Sequence, residues 1–125
     1  MKRRVMIVDD EALLARTLSH AFRDAGYDVA TAGSAEQAEE ILAAAERPFD
    51  LLILDNRLPG KSGLEMLAAW PQRARTRIVL MTAYDTAETH QRGVDLGVDL
   101  YLRKPFDLST LLSQAAKLLE EGVET

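Results

Sequence analysis

Short aliphatic runs alternate along the chain with longer segments of helical period, and this alternation restricts the fold more than any other feature. Strands are predicted at residues 5–8, 27–31, 51–54, 78–81 and 99–102. Strands that alternate with helices form β-α-β crossovers, which produce a parallel sheet with helices on both faces. Residues 51–54 are apolar at every position, as expected of a central strand in such a sheet. We therefore expect an α/β fold with a doubly wound, five-stranded parallel sheet and five helices.

The first two helices are predicted from apolar spacing and from their end signals. The first helix stops at Gly26. The second begins at Ser34, has Gln37 at the capping-box position and is ended by Pro48. Both helices therefore have defined predicted limits.

The remaining helices differ in the strength of their patterns. A short helix is predicted around residues 64–70, closed by Pro71, and a helix of weak amphipathicity over residues 87–96. The last helix has the clearest apolar stripe, at spacing i, i+3, i+4 and i+7. Its residues are Leu108, Leu111, Leu112, Ala115, Leu118 and Leu119.

Size and composition predict one domain. The chain has 125 residues, of which 47% are hydrophobic and 28% charged. We assign residues 1–121 to this domain and residues 122–125 to a tail or the start of a linker. A net charge of −5 argues against a broad basic surface for nucleic acid, so no direct nucleic acid binding is expected. The lack of cysteine excludes disulfides and thiolate chemistry.

The N-terminus does not have the pattern of a targeting segment. The apolar stretch at residues 5–8 is shorter than the roughly 7–15 residues of a signal-peptide core, and Asp9 and Asp10 follow it directly. No run approaches the roughly 20 apolar residues of a membrane span. A cytoplasmic protein that does not enter a membrane is the expectation.

Polar residues follow four of the predicted strands. The carboxyl ends of parallel strands meet at one edge of the sheet, where ligands bind in folds of this class. The residues expected there are Asp9, Asp10, Asp55, Thr82 and Lys104.

These side chains have the chemistry of a site for a metal and a phosphoryl group. Three carboxylates in one cleft repel one another, and a divalent cation relieves that repulsion. Oxygen ligands favour Mg²⁺, or Mn²⁺, over zinc. A lysine and a threonine hydroxyl suit the oxygens of a phosphoryl group. Each residue alone has an ordinary explanation as a turn, a cap or a surface charge, but the set is more specific than its members.

Four segments in order carry a resemblance to a known family. "VDD", "ILDNRLPGKSG", "MTAY" and "YLRKPFD" resemble the receiver domain of two-component response regulators, and the similarity extends over essentially the whole chain. The resemblance implies a flavodoxin-like sheet in the order 2-1-3-4-5. It also implies a phosphorylation-dependent signalling switch rather than an enzyme.

The resemblance implies a phosphoacceptor and a metal site. Asp55 would accept a phosphoryl group from a sensor histidine kinase. Asp10 would bind Mg²⁺ directly and Asp9 through water, with Asp55 and the backbone carbonyl of Arg57 as the other protein ligands.

It also implies a switch. Lys104 would pair with a phosphoryl oxygen, and the Thr82 hydroxyl would move to bond another. Tyr101 would then swing inward to the space vacated near Thr82. The face formed by the fourth helix, fifth strand and fifth helix would contact a partner, a second copy or a C-terminal effector domain, with transcription as the expected output.

Three positions near Asp55 and Thr82 are notable. Leu58 stands where the family often has methionine, a conservative change in volume. Arg57 and Tyr84 each lie two residues after a predicted site residue, at positions that influence loss of the phosphoryl group in the family. We expect these bulky side chains to shield the acyl phosphate from water.

Three other functions are compatible with this fold class, and each has its own sequence requirement. A Mg²⁺-dependent phosphatase with an aspartyl nucleophile would need an acid two residues after Asp55, where Arg57 stands, because arginine cannot donate as a general acid. A flavin-binding module would need a phosphate-cradling loop where this chain has "DDEALL". A receiver-like interaction module that no longer takes phosphate would have no need for all five site residues.

Overall fold

A computed structural model describes residues 2–70 and 75–121, in which five parallel strands form one sheet in the order β2-β1-β3-β4-β5. The strands are β1 (Arg4–Val8), β2 (Asp28–Ala32), β3 (Leu51–Asp55), β4 (Arg77–Thr82) and β5 (Leu100–Arg103). The helices are α1 (Ala12–Asp24), α2 (Ala35–Ala44), α3 (Gly63–Ala68), α4 (Ala87–Asp95) and α5 (Leu108–Glu121). The predicted fold class, element order and strand order are confirmed.

The sheet separates two apolar layers. Leu51 and Ile53 of β3 face a layer that includes α1 and α5, whereas Leu52 and Leu54 face the layer with α2 and α3. All five residues of β3 are buried, because side chains of a central strand alternate between two covered faces. This burial holds the end of β3, where Asp55 lies, rigidly in the centre of the sheet edge.

Both edge strands begin one residue later than predicted. The amide of Tyr27 donates to the carbonyl of Phe22 at the end of α1 and so does not enter the sheet. The Asp99 carboxylate accepts a hydrogen bond from the amide of Ile78 at 2.7 Å, and β5 starts at the next residue. Local hydrogen bonds of helix ends and side chains, which apolar patterning does not report, therefore set these boundaries.

The start of α2 is partly as predicted. The Ser34 hydroxyl accepts from the Gln37 amide at 3.1 Å, which confirms the N-cap. The Gln37 side chain accepts from Gly33 and not from Ser34, so the predicted capping box is wrong by one residue. A complete capping box is instead present at Ser62 and Glu65, at the start of α3.

The predicted helix ends have different outcomes. The second helix ends at Ala44, four residues before Pro48, so proline is not its terminator. The first helix ends at Asp24 with Ala25 as its C-cap, and Gly26 follows with a φ of 100°, so the predicted glycine stop is confirmed. Pro71 and residues 122–125 lie outside the described residues. None of the helices within the described ranges has the length and apolar character that crossing a membrane requires.

Candidate functional site

Two buried carboxylates lie side by side at the carboxyl edge of the sheet. Val8 of β1 pairs with Leu54 of β3, so the residues that follow, Asp9 and Asp55, are adjacent. Asp9 is 2% exposed and Asp55 4% exposed. Glu11, just before α1, donates its amide to the Asp9 carboxylate at 2.9 Å and adds a third acidic side chain. One carboxylate oxygen from each of these residues lies within 4.8 Å of the other two.

Lys104 connects the three acids. Its Nζ donates to Asp9 and Glu11 at 3.0 Å and to Asp55 at 3.1 Å, and its side chain is 12% exposed. The Lys104 amide donates to the carbonyl of Thr82, which fixes the lysine at the end of β5. Burial by itself would lower the pKa of Lys104, but the three accepting carboxylates raise it above its ordinary value. The ammonium therefore stays charged and partly neutralises the acidic cluster.

The environment of Asp55 disfavours its charged form. Burial raises the pKa of the Asp55 carboxyl and the nearby Asp9 raises it further, although a hydrogen bond from the Arg57 amide and the contact with Lys104 act in the opposite direction. The Arg57 amide lies 3.2 Å from Asp55 Oδ1. Asp55 is thus a desolvated carboxylate that gains from any further positive charge in the cavity.

The structure places the predicted metal ligands in the acidic cluster and around the cavity beside it. Asp9 and Asp55 belong to the acidic cluster, and the exposed Asp10 lines a cavity of about 390 Å³ that Glu11, Asp55, Arg57 and Lys104 also line. Glu11, which sequence reasoning missed, joins the cluster in the described part of the chain. The sequence signal that could have identified Glu11 is the third consecutive acid in "VDDE", between the end of β1 and the start of α1.

Thr82 lies close to the cluster without touching it in this conformation. Its buried hydroxyl donates to the Tyr84 carbonyl at 2.9 Å and accepts from the Tyr84 amide at 3.1 Å. A second cavity, of about 560 Å³, lies on this side and is lined by Thr82, Tyr84 and Arg57 among others. The Thr82 hydroxyl would have to exchange these local bonds to reach a group on Asp55.

Arg57 and Tyr84 form a pair above the site. The Arg57 guanidinium lies 4.7 Å from the centroid of the Tyr84 ring, a cation–π contact. Both residues line the cavity that contains Asp55 and Lys104. Tyr84 is 66% exposed, so its ring stands at the mouth of the cavity rather than in the core.

Tyr101 packs away from the acidic cluster, against α4. Its hydroxyl donates to the Thr89 carbonyl at 3.0 Å, and its ring centroid lies 4.6 Å from that of His90. Burial, and to a smaller degree Asp85, raises the pKa of the Tyr101 hydroxyl, which therefore remains a hydrogen-bond donor at neutral pH. The structure thus brings Asp9, Asp55 and Lys104 together and leaves Tyr101 apart from them.

The acidic cluster fits a divalent metal ion of the Mg²⁺ type. Asp9, Glu11 and Asp55 offer only hard oxygen donors, and two of these side chains are almost fully buried. The cluster has no nitrogen or sulfur ligand that would favour zinc. The donor set is therefore that of an oxygen-ligated divalent cation.

Comparison with known proteins matches this geometry to one family. The family described as "Response regulator receiver domain" matches residues 5–116. The transcriptional regulatory protein AruR of Pseudomonas aeruginosa is 37% identical over 119 residues, which cover 93% of this chain and 49% of AruR. The alginate biosynthesis transcriptional regulatory protein AlgB of the same species is 41% identical over 118 residues, which cover 94% of this chain and 26% of AlgB. The chain therefore spans about half or less of these relatives.

Solved structures agree with the sequence relatives. A CheY-like response regulator receiver domain protein from Methanospirillum hungatei has a TM-score of 0.91 at 26% identity, covering 98% of this chain and 97% of that protein. The chemotaxis protein CheY4 of Vibrio cholerae has a TM-score of 0.85 at 30% identity, covering 94% and 99%. The family match spans the sheet from β1 to α5 and includes every residue of the acidic cluster. The chain accordingly belongs to the response regulator receiver domain family.

Proposed function

We propose that this domain is a signalling switch that accepts a phosphoryl group on Asp55 from a sensor histidine kinase. The observation that carries the proposal is the contact of Lys104 Nζ with the buried Asp55 carboxylate at 3.1 Å, at the end of the central strand. This places a nucleophilic oxygen and a fixed positive charge in one cavity that opens to solvent. Such a pair is what the transfer of an anionic group to a carboxylate requires.

The reaction is a displacement at phosphorus. An Asp55 carboxylate oxygen attacks the phosphorus of the phosphohistidine, the P–N bond breaks, and its electron pair stays on the imidazole, which then takes up a proton. The product is an aspartyl phosphate, with no net change in the number of phosphoryl groups. Lys104 lies close enough to Asp55 to pair with an oxygen of the transferred group.

Mg²⁺ would be held in this cavity by Asp9, Asp55 and the Arg57 carbonyl. Either Glu11 or Asp10 would supply a further carboxylate. When bound, the metal supplies positive charge that offsets the repulsion between the carboxylates and the incoming phosphate. The chain's own part is to place those oxygens by the ends of β1 and β3 and by the loop after β3. Mn²⁺, with similar ligand preferences, is expected to substitute.

Phosphorylation would be read through Thr82 and Tyr101. The modification adds roughly −1.5 to −2 charge and strong acceptor oxygens, which favour rotation of the Thr82 hydroxyl away from Tyr84 toward the phosphoryl group. Tyr101 would then leave α4 for the space near Thr82. The α4-β5-α5 face, which exposes Val94 at 54%, would change its shape and its affinity for a partner.

The output is proposed to be control of transcription. AruR and AlgB are named as transcriptional regulatory proteins and are longer than the matched region. A C-terminal effector domain or a homodimer through the α4-β5-α5 face would make use of the switch. The assignment of residues 1–121 to the receiver domain is part of this proposal.

Incubation with Mg²⁺ and acetyl phosphate tests the proposed function directly. Intact mass spectrometry should show addition of one phosphoryl group, and Asp55→Ala should abolish it. Asp28→Asn, which removes an exposed carboxylate from the opposite end of the sheet, should leave the addition unchanged. A wild-type protein that stays unmodified, or an Asp55→Ala protein that is still modified, would refute the assignment.

A further inference from the structure

A buried glycine lies in the interior of α4, where glycine stabilises a helix less than most residues do. Gly93 lies within α4 (Ala87–Asp95) and is its buried residue among those described. Glycine is among the weakest helix formers and alanine the strongest, so an interior glycine needs a packing reason. The proposed function does not use Gly93.

The reason is the ring of Tyr101. A Cβ atom at position 93 would lie 2.7 Å from Cε2 of Tyr101, closer than real Cβ contacts. The bare backbone at Gly93 therefore forms a notch that admits the edge of the ring. With the ring in that notch, the Tyr101 hydroxyl donates to the Thr89 carbonyl, one helical turn earlier.

His90 forms the other side of this position. Its ring centroid is 4.6 Å from that of Tyr101, with the two planes tilted by 39°. Gly93 lies four residues after Thr89 and three after His90, so both are its neighbours on the helix surface. Together the three positions supply a hydrogen bond, a ring contact and space for the Tyr101 ring. We call these three residues the α4 seat.

We infer that Gly93 is a positioning residue, whose lack of a side chain holds Tyr101 in the α4 seat and so sets how readily the domain adopts its phosphorylated conformation. The inference rests on the proposed function, because it assumes that Tyr101 leaves α4 when Asp55 is phosphorylated. A side chain at position 93 expels the ring from the seat. The seated conformation then loses its advantage, and the conformation with Tyr101 near Thr82 gains population.

A double-mutant cycle in stability tests the seat without phosphorylation. Gly93→Ala should lower the urea midpoint when Tyr101 is present, because the methyl group and the ring cannot both be accommodated. In a Tyr101→Ala background the same change should raise the midpoint, because the ring is gone and alanine favours the helix. Gly33→Ala, where the nearest heavy atom would be an ordinary 3.7 Å away, is the matched control and should respond equally in both backgrounds. A shift from Gly93→Ala that is the same in both backgrounds would overturn the inference.

The position of the ring has a spectroscopic readout. The chain has three tyrosines, so fluorotyrosine labelling should give three ¹⁹F resonances, of which Tyr101→Phe identifies one. Gly93→Ala should shift that resonance toward its position in the beryllofluoride-bound wild type. If Gly93→Ala folds poorly, His90→Ala is the second variant. It removes a ring contact of Tyr101 without adding atoms, and it should move the resonance in the same direction.

Binding of beryllofluoride, a phosphoryl mimic, tests the link to the switch. Because the apparent affinity is proportional to the fraction of molecules in the competent conformation, Gly93→Ala should tighten binding at fixed Mg²⁺ by about threefold or more. An unchanged affinity together with non-additive stability would leave Gly93 as a packing residue and overturn its positioning role. Failure of wild type to bind beryllofluoride or to be phosphorylated on Asp55 would instead refute the proposed function, while the stability cycle would still report on the seat.

Discussion

Asp55 carries opposite requirements for stability and for function. Its carboxylate is buried beside Asp9, and this environment raises its pKa. A raised carboxyl pKa means that the folded state binds the proton more tightly than the unfolded state does. The protonated Asp55 carboxyl therefore contributes its full stabilisation below the ordinary pKa of 3.8. This contribution is lost as the pH rises through the pKa of the folded state. At neutral pH the ionised carboxylate therefore destabilises the metal-free fold.

Asp55→Asn should accordingly stabilise the metal-free protein at pH 7. Urea unfolding with a chelator present measures this as a higher midpoint, and the gain should shrink below pH 3.8, where the wild-type carboxyl is also neutral. Asp28→Asn, at an exposed carboxylate, is the control. A lower midpoint at pH 7 would mean that the contact with Lys104 outweighs the burial of the charge.

Arg57 and Tyr84 should lengthen the life of the phosphoryl group. The stacked pair lines the mouth of the cavity, where water must enter to hydrolyse the acyl phosphate. Arg57→Asn and Tyr84→Ala should each shorten the half-life of the aspartyl phosphate. Because the two side chains touch, the double variant should lose less than the two single effects combined. The exposed Arg92→Asn serves as control, and half-lives equal to wild type would exclude shielding.

At the scale of elements, α3 is fixed to the end of β3. The Gly63 amide donates to the Asn56 carbonyl at 2.9 Å, and the Leu64 amide donates to the Asn56 side chain at 3.0 Å. The capping box of Ser62 and Glu65 satisfies further amides in the first turn. The helix start therefore positions the backbone just after Asp55.

Gly63→Ala should disturb this junction. Its Cβ would lie 2.6 Å from the Asp55 carbonyl oxygen, and a backbone atom in the central strand cannot move aside easily. We expect a loss of about 1–3 kcal/mol in the free energy of unfolding, as for other overpacked sites. Urea denaturation measures the loss.

The control for that experiment is Gly33→Ala, which adds the same methyl group at an exposed loop position with no atom closer than 3.7 Å. It should stay within about 0.5 kcal/mol of wild type. Equal effects of the two substitutions would show that the close approach of α3 to β3 does not limit stability.

At the scale of the whole molecule, an acidic chain carries a cluster of carboxylates at one end of its sheet. The net charge is −5, and three acids share that edge with Lys104. Mg²⁺ that binds the folded state alone should raise the melting temperature. At ten times its Kd the gain is about 1.4 kcal/mol, or roughly 5 °C for a domain of this size.

Two variants separate the candidate ligands of that metal. Asp10→Asn should weaken the Mg²⁺-dependent rise in melting temperature, as the family resemblance implies. Glu11→Gln examines the acid that lies in the cluster in this structure. If Glu11→Gln removes the rise and Asp10→Asn retains it, the assignment of Asp10 as a direct ligand would be contradicted.

Chain order and local pattern were sufficient to predict the fold class and the chemistry of the sheet edge. Residues 51–54 are apolar on both sides of the pleat, which alone implies a covered central strand with Asp55 at its open end. Boundaries were less predictable, because Tyr27 and Asp99 make hydrogen bonds that no periodicity reports. The expected capping box at Ser34 is likewise incomplete, because the Gln37 side chain accepts from the Gly33 amide and not from the Ser34 amide.

Tertiary structure alone decided which side chains meet. Lys104 is 95 residues from Asp9 and 49 from Asp55 in sequence, and only the parallel order of the strands brings its Nζ to both. The sequence determined that acids, a lysine and a hydroxyl would share one edge, because strand direction follows from β-α-β alternation. It did not determine that Glu11 joins Asp9 and Asp55 in the acidic cluster while Asp10 does not, or that the Tyr101 ring packs against Gly93. Those outcomes depend on where helices start and on how side chains pack. Differences of a few ångströms determine which side chains touch, and sequence spacing does not report such differences.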